Sequence, residues 1–254
     1  MLLTKNPDRD LILSAFDHAA STYEAHGHVN QVIARHFWSF ASLHLPNEFS
    51  ALMDLGCGPR TFLPNSLMDK TPCILIDGAP HMVMQAHKNN QQAKAMVMDV
   101  AHPAFYCPQG VALSNMTFQW MDDLGAVIER YKSRLKMLGF SIPILGSFRE
   151  WISWCVRHDV PERLNPLKTE ESLRSLCESI MGGDVHLHVE DVFVHYERPI
   201  EFALDLKGMG AHIMLNPQKG SLKRSLYAAR LKDDHFNGVT YKVAFVLMNF
   251  GENE

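Results

Sequence analysis

Residues 51–60 read ALMDLGCGPR. An apolar run meets an acid, Asp54, and then opens into Gly56 and Gly58. A buried strand reads this way when it ends in a loop that lets a ligand approach the main chain. A third glycine would complete G-x-G-x-G, but Arg60 stands there. The stretch therefore predicts the first strand of an open sheet. It leaves open whether the loop still serves a ligand.

Around it, strand-like and helix-like segments alternate. CILID, KAMVMD, GVALSN and GFSIPIL read as strands. RTFLPNSLMDK, PHMVMQAHKNN and DLGAVIERYKSRLKML read as helices. This alternation predicts a parallel sheet covered on both faces. Upstream, two helices are expected, Arg9 to His26 and His28 to Leu45. The second has Val29, Val32, Ile33, Phe37 and Phe40 on one face. Beyond Gly146, FREWISWCVRH and TEESLRSLCESIM read as helices and DVHLHVEDVFVHYE as a strand broken or bulged near Asp191. PIEFALDLKGMGAH begins with proline and ends in glycines, as a helix does. SLKRSLYAARLK reads as a basic helix and VTYKVAFVLMNF as the last strand. The fold class expected is α/β, a Rossmann-like sheet that is mostly parallel with an antiparallel last strand and helices on both faces. N-terminal helices precede it, and a helical insertion follows the fifth strand. With no repeat and no low-complexity linker, the 254 residues read as one domain. Its parts are an N-terminal helical cap (1–48), a ligand-binding half (49–146) and a second half for substrate and partner (147–254).

Composition narrows the function classes. The formal net charge is −4, so no global basic field points to nucleic acid. No run approaches the length of a membrane span, and MLLTKNPDRDLIL carries charges inside its short apolar stretch, unlike a signal peptide. The five cysteines are odd in number and form no C-x-x-C pair, which fits a reducing cytoplasm better than a disulfide framework or a zinc cage.

Ligands of open parallel sheets bind beyond the carboxyl ends of the strands. Each of the first four strands ends in polar residues: Asp54, Asp77, Asp99 and the pair Ser114–Asn115. Any one of these alone would read as a helix cap or loop residue. Asp77, followed by Gly78, suits a ribose diol, and Asp99, followed by Val100, suits an exocyclic amine. The G-x-G-x-x-G glycine of dinucleotide sites is absent, since Thr61 stands there. Asp54 fits the ammonium group of a methionine-like moiety. Together these residues favour S-adenosylmethionine, held by Asp54, Gly56, Cys57, Gly58, Arg60, Asp77, Gly78, Asp99, Val100 and Asn115, with no metal.

MDLGCGP, LIDGAPHMVMQAHK and VMDV resemble motifs of the class I S-adenosylmethionine-dependent methyltransferases. FDHAASTYEAHGHVN, SNMTFQW, GSF and DLKGMGAH resemble, more narrowly, the malonyl-acyl-carrier-protein O-methyltransferases of biotin synthesis, from about Phe16 to the end of the chain. The resemblance implies methyl transfer to the free carboxylate of a malonyl thioester. Such a carboxylate is already nucleophilic, so the reaction needs positioning and a dry pocket more than acid–base help. Tyr23, Lys207 and His212 lie in the family-like segments and are candidates to hold the carboxylate. Trp120 and Phe118 are candidates to wall the pocket, with plain core filling as the other reading of Trp120. His18, His26 and His28 read as helix-surface residues, and His186, His188 and His195 as a solvated strand face rather than a metal site.

The resemblance also implies an acidic carrier protein as partner. From Leu206 to Lys232 the chain carries Lys207, Lys219, Lys223, Arg224, Arg230 and Lys232 and no Asp or Glu. That segment reads as a docking surface or as a solvated helix face. Arg60 in place of glycine marks a divergent member. Two functions thus stand side by side: a carboxyl methyltransferase acting on malonyl or another small acid, and a non-catalytic relative that binds a carrier protein or a pathway enzyme.

Overall fold

The computed structural model describes residues 7–182, 185–212 and 236–251. Seven strands form one sheet in the order β3-β2-β1-β4-β5-β8-β7. They are β1 (Ala51–Leu55), β2 (Cys73–Asp77), β3 (Lys94–Val97), β4 (Cys107–Asn115), β5 (Leu135–Pro143), β7 (Val185–Val194) and β8 (Val239–Asn249). A short strand, β6 (Leu145–Phe148), lies beside β8. Strands β1 to β5 pair in parallel, and β8 runs antiparallel to both β5 and β7. The expected sheet is therefore present.

β1 is buried along its whole length because it lies between β2 and β4 and is covered on both faces, which is why it reads as a continuous apolar run. One face carries α3 (His28–Ser42), α7 (Arg149–Arg157) and Phe202 of α9 (Pro199–Gly208). The other carries α6 (Leu124–Lys132) and α8 (Glu170–Met181). Two further helices, α4 (Asn65–Met68) and α5 (Pro80–Asn89), connect the first strands.

Three expectations need correction. The first helix is not continuous to His26: α1 (Pro7–Ala19) stops, and α2 (Tyr23–His26) starts after a turn. Thr22 Oγ1 donates to the carbonyls of Ala19 and Gly208 there, and so holds the break. The sixth helix ends at Lys132, because Leu135 to Leu138 are taken up by pairing with β4. β7 has neither a bulge nor a break, and its register with β8 runs unbroken from Val185 to Val194. Its apparent phase slip marks a change of covered face: Val185, Leu187 and Val189 pack on the α6–α8 side, and Val192 and Val194 on the α3 side, where Glu190 accepts from His36 Nδ1 at 2.7 Å.

Gly139 shows how tightly the central strands are set. It sits between Leu113 of β4 and Leu247 of β8 in register, and a Cβ at Gly139 would run into both leucine side chains, with Phe37 of α3 close above. Gly139→Val should therefore lower stability by about 1–3 kcal/mol through overpacking, read as a fall in the urea midpoint. An unchanged midpoint would mean the row has slack that the structure does not contain.

Candidate functional site

The polar ends of the first strands converge. Gly56 and Gly58 have φ of 72° and 59°, a region that L side chains avoid. Thr117 fills the place a Cβ at Gly56 would need, whereas at Gly58 the nearest atoms belong to the Tyr23 ring at 3.9 Å. Asp77 accepts from the amides of Gly58 (3.0 Å) and Ala79 (2.9 Å), and burial still pushes its carboxyl above the usual range. Asp54 is 1% exposed. Its Oδ2 accepts from Thr61 Oγ1 at 2.5 Å, while its Oδ1 has no partner among the described residues. Burial pushes the Asp54 pKa up to about 7, with Asp77 adding to the rise and Thr61 and the Phe62 amide opposing it.

Three spaces meet at Tyr23. A cavity of about 540 Å³ is lined by Asp54, Gly56, Arg60, Thr61, Asn115 and Tyr23. A second, of about 320 Å³, is lined by Tyr23, Trp120, Phe148, Trp151, Met209 and Tyr241, among others. A third, beside Gly58, Asp77, Gly78 and Val100, measures only about 50 Å³ because α1 lies on it. Arg9 of α1 pairs with Asp99 and donates to the Trp120 carbonyl. Leu13 lies where a Cβ at Gly78 would go. Burial alone would raise the Asp99 carboxyl, but the hydrogen bonds from Arg9, the Ala101 amide and His102 hold it below its ordinary value. Tyr23 Oη accepts from Asn30 Nδ2 at 2.7 Å. Burial raises its pKa to about 12, so the phenol stays protonated.

The cap is clamped by residues far apart in sequence. His26 Nδ1 meets Asp205 Oδ1 at 2.8 Å, and Asp205 also accepts from Tyr196 Oη at 3.1 Å. The His26 ring lies where a Cβ at Gly208 would go. Gly210, at φ 78°, brings its backbone against Ala15 and Phe16.

The candidate residues divide as follows. Asp54, Gly56, Cys57, Arg60 and Asn115 line the large cavity, while Gly58, Asp77, Gly78 and Val100 line the narrow space. Arg60 is exposed at the mouth, its Nε 3.3 Å from Glu24 Oε1. Asn115 is engaged at both ends, by the Asn30 carbonyl and by Ser141 Oγ. Trp120 lines the second cavity, edge-on to Phe16 at 5.4 Å. Phe118 is fully buried and stacked on Phe140 and Tyr131, so it is core and does not wall that cavity. His212 is exposed and lines the second cavity. Lys207 is exposed and lines neither large cavity, since it sits on the outer side of α9. His26 is part of the cap clamp rather than a free surface residue. His186 and His188 are exposed yet lie against His44 and Phe40 of α3. No cluster of three metal-ligating side chains occurs among the described residues. Lys219, Lys223, Arg224 and Arg230 lie outside the described residues.

Sequence reading missed Arg9, Thr61, Gln119 and Tyr241. Thr61 was legible as a hydroxyl seven residues after Asp54, within reach of a loop that doubles back. Nothing in the sequence marks Arg9 or Tyr241, which come from segments distant from the glycine loop.

No protein-family model matches the chain. It is 25% identical over 219 residues to malonyl-[acyl-carrier protein] O-methyltransferase 2 of Coxiella burnetii, covering 82% of this chain and 84% of that protein. It is 25% identical over 248 residues to malonyl-[acyl-carrier protein] O-methyltransferase of Bacillus anthracis, covering 89% and 88%. Its fold is similar to a solved S-adenosylmethionine-dependent methyltransferase of Thermotoga maritima, with TM-score 0.55, 14% identity, and 94% of this chain and 99% of that one covered. The chain is thus similar over most of its length to proteins named malonyl-[acyl-carrier protein] O-methyltransferase, and its fold is the Rossmann-like one of solved methyltransferases.

Asp54 gives a pH signature that needs no ligand. Its folded pKa of about 7 lies well above the ordinary carboxyl value of 3.8. The cost of burying its charge therefore develops as pH rises from about 4 to about 7 and is complete above that. Asp54→Asn should raise the melting temperature at pH 8, by an amount on the order of 4 kcal/mol in stability, with the gain shrinking toward pH 4. A gain of equal size at both pH values would show that Asp54 is not a buried, raised carboxyl.

Proposed function

We propose that the chain is an S-adenosylmethionine-dependent methyltransferase that esterifies the free carboxylate of a malonyl group borne by acyl carrier protein. The observation that carries the reading is Asp54 Oδ1, buried, without a partner, on a carboxylate that lines the large cavity next to Tyr23. A buried carboxylate oxygen needs a cation or a donor, and the ammonium of a methionine moiety is both. Gly58 leaves its main chain uncovered by any Cβ, and Asp77 keeps acceptor capacity for a ribose diol. The curated relatives are named for this reaction.

When bound, the cofactor supplies a methyl group on a sulfonium that departs as a neutral thioether. The protein residues bind, orient and exclude water. Asp54 anchors the methionine end. Tyr23, at the meeting of the cavities, is the group that separates the cofactor from the second cavity, and its protonated phenol can donate to an incoming carboxylate oxygen. Trp120, Phe148 and Trp151 make that cavity apolar, which favours a step in which opposite charges are quenched. The adenosine end lies under α1, so Arg9 and Leu13 must give way when the nucleoside enters. That cover, with Arg60 in place of a glycine, favours a second reading: a relative that binds a carrier protein without catalysis.

Calorimetric titration separates the two. S-adenosylmethionine should bind the wild type, and Asp77→Ala should weaken it by about 1–3 kcal/mol. Binding should also fall with pH below about 7, where Asp54 takes up its proton. Incubation with malonyl-acyl carrier protein should then add one methyl to the acyl group by mass spectrometry. An absence of cofactor binding selects the non-catalytic reading, and binding without malonyl methylation selects another small acid.

The run Lys219, Lys223, Arg224 and Arg230 supports docking of the acidic carrier, and a cytoplasmic location follows from that partner. No helix among the described residues is long and apolar enough to cross a membrane. Reversing Lys223 and Arg224 to Glu should raise KM for malonyl-acyl carrier protein about tenfold at low salt, fading as ionic strength rises. A small malonyl thioester should be little affected, and equal losses on both substrates would defeat the docking role.

A further inference from the structure

Two side chains that line the second cavity carry a polar atom without a partner among the described residues: Tyr241 Oη and Gln119 Oε1, both buried. Tyr241 is 3% exposed. Its place on β8 is fixed from both sides. The Thr240 amide and hydroxyl donate to Glu150 at 2.8 and 2.7 Å, and the Lys242 amide donates to Ser147 Oγ at 2.9 Å. The ring packs edge-on against Phe148 at 4.9 Å. The strand bonds fix where the Tyr241 side chain starts, and the Phe148 ring packs against it. Burial raises its pKa well above the ordinary value, so the hydroxyl remains a donor at any working pH.

Gln119 is oriented as well. Its Nε2 donates to the Met116 carbonyl at 2.8 Å, which leaves Oε1 as an acceptor. Met116 has φ of 53°, so the turn carrying Gln119 is held in a backbone state a methionine does not favour. Arg163 lines the same cavity, at φ 51°, with no ion pair or hydrogen bond of its side chain among the described residues. The remaining wall is largely aromatic and aliphatic. The cavity thus has a buried neutral donor and a buried acceptor in its apolar part and, at its exposed rim, Arg163 beside Glu162 and His212, a set that fits a carboxylate on a short acyl group whose delivering arm carries an N–H.

We infer that Tyr241 and Arg163 are the substrate-carboxylate contacts of the second cavity, with Gln119 Oε1 accepting from an amide of the arm that delivers the acyl group. The inference rests on the proposed methyltransferase reading and specifies which residues select the acid. Tyr241 orients the carboxylate without neutralising it, which preserves its nucleophilicity. Arg163 supplies the charge that distinguishes an acid from a neutral acyl chain.

The test uses the full chain saturated with S-adenosylhomocysteine, which prevents turnover, and titrates malonyl-pantetheine and acetyl-pantetheine by calorimetry. Wild type should bind the malonyl thioester more tightly than the acetyl one. Tyr241→Phe and Arg163→Gln should each weaken the malonyl thioester about tenfold and leave acetyl-pantetheine and S-adenosylhomocysteine unchanged. Because the Tyr241 hydroxyl has no partner among the described residues, Tyr241→Phe should keep or raise the melting temperature. A lowered melting temperature would mark the hydroxyl as structural and overturn the inference. Undiminished malonyl binding by Tyr241→Phe, in a protein that still prefers malonyl to acetyl, would overturn it too and leave the methyltransferase reading intact. A wild type that takes S-adenosylhomocysteine but does not prefer malonyl would overturn both the inference and malonyl as the substrate.

Discussion

A carboxylate fixed at the end of an interior strand, with one oxygen satisfied and one not, governs the site. Asp54 cannot move toward water, because β1 is hydrogen-bonded on both edges and buried on both faces. Its own loop offers Thr61 and the Phe62 amide but leaves Oδ1 without a partner among the described residues, while the glycine turn itself is committed to β2, where Gly56 and Cys57 donate to the Ile76 carbonyl. Burying that charge is an unfavourable contribution to folding that Thr61 offsets only in part and that protonation or a cationic ligand relieves. A core built for stability alone would have a leucine or an asparagine there. The retained acid and the open cavity beside it are therefore one feature, and the placing of Tyr23, Arg60 and Asn115 around the cavity follows from it.

How far the sequence revealed this depends on the range of the interaction. The β1 strand, its glycines and the acids ending β2 and β3 were legible because each is a local pattern: an apolar run, a φ requirement, a carboxylate at a strand end. The break between α1 and α2 was not, because the Thr22 hydroxyl that holds it bonds to Gly208, 186 residues away. His26 read as a surface residue for the same reason, since its partner Asp205 lies on another helix. β7 was misjudged at Glu190 because polarity alone cannot distinguish an inward carboxylate met by His36 from an outward one. Lys207 was placed in the site by its motif, and the structure shows that the motif's glycines matter instead: Gly208 admits the His26 ring and Gly210 admits the α1 backbone.

The two segments whose resemblance was most specific line one cavity and are joined through the cap. SNMTFQW forms the ledge beneath the cavities: Asn115 ties β4 to α3, Thr117 backs Gly56, Phe118 enters the core, and Gln119 and Trp120 face the second cavity. DLKGMGAH receives the cap through Asp205, Gly208 and Gly210. Neither segment folds usefully by itself, since each presents groups that only the other parts of the cap complete. That mutual dependence explains why short motifs far apart in sequence point to one site.

The cover over the adenosine end can be weighed in the same terms. α1 holds the strand ends through Arg9 on Asp99 and through Asp17 on His81, where the histidine side chain is 63% exposed. Exposed ion pairs of the second kind contribute little, about 0–1 kcal/mol. The Arg9 pair is more enclosed, but its partner Asp99 keeps the Ala101 amide and His102 when Arg9 leaves, so no buried carboxylate is stranded. Leu13 over Gly78 loses apolar contact on opening, and an adenine ring entering the same space would restore it. Each interaction that closes the space is thus one a nucleoside can replace in kind. Asp54 Oδ1 differs, because no residue of the cap takes its place as partner. The cap can give way at modest cost, whereas the burial of Asp54 changes only when a partner reaches its Oδ1.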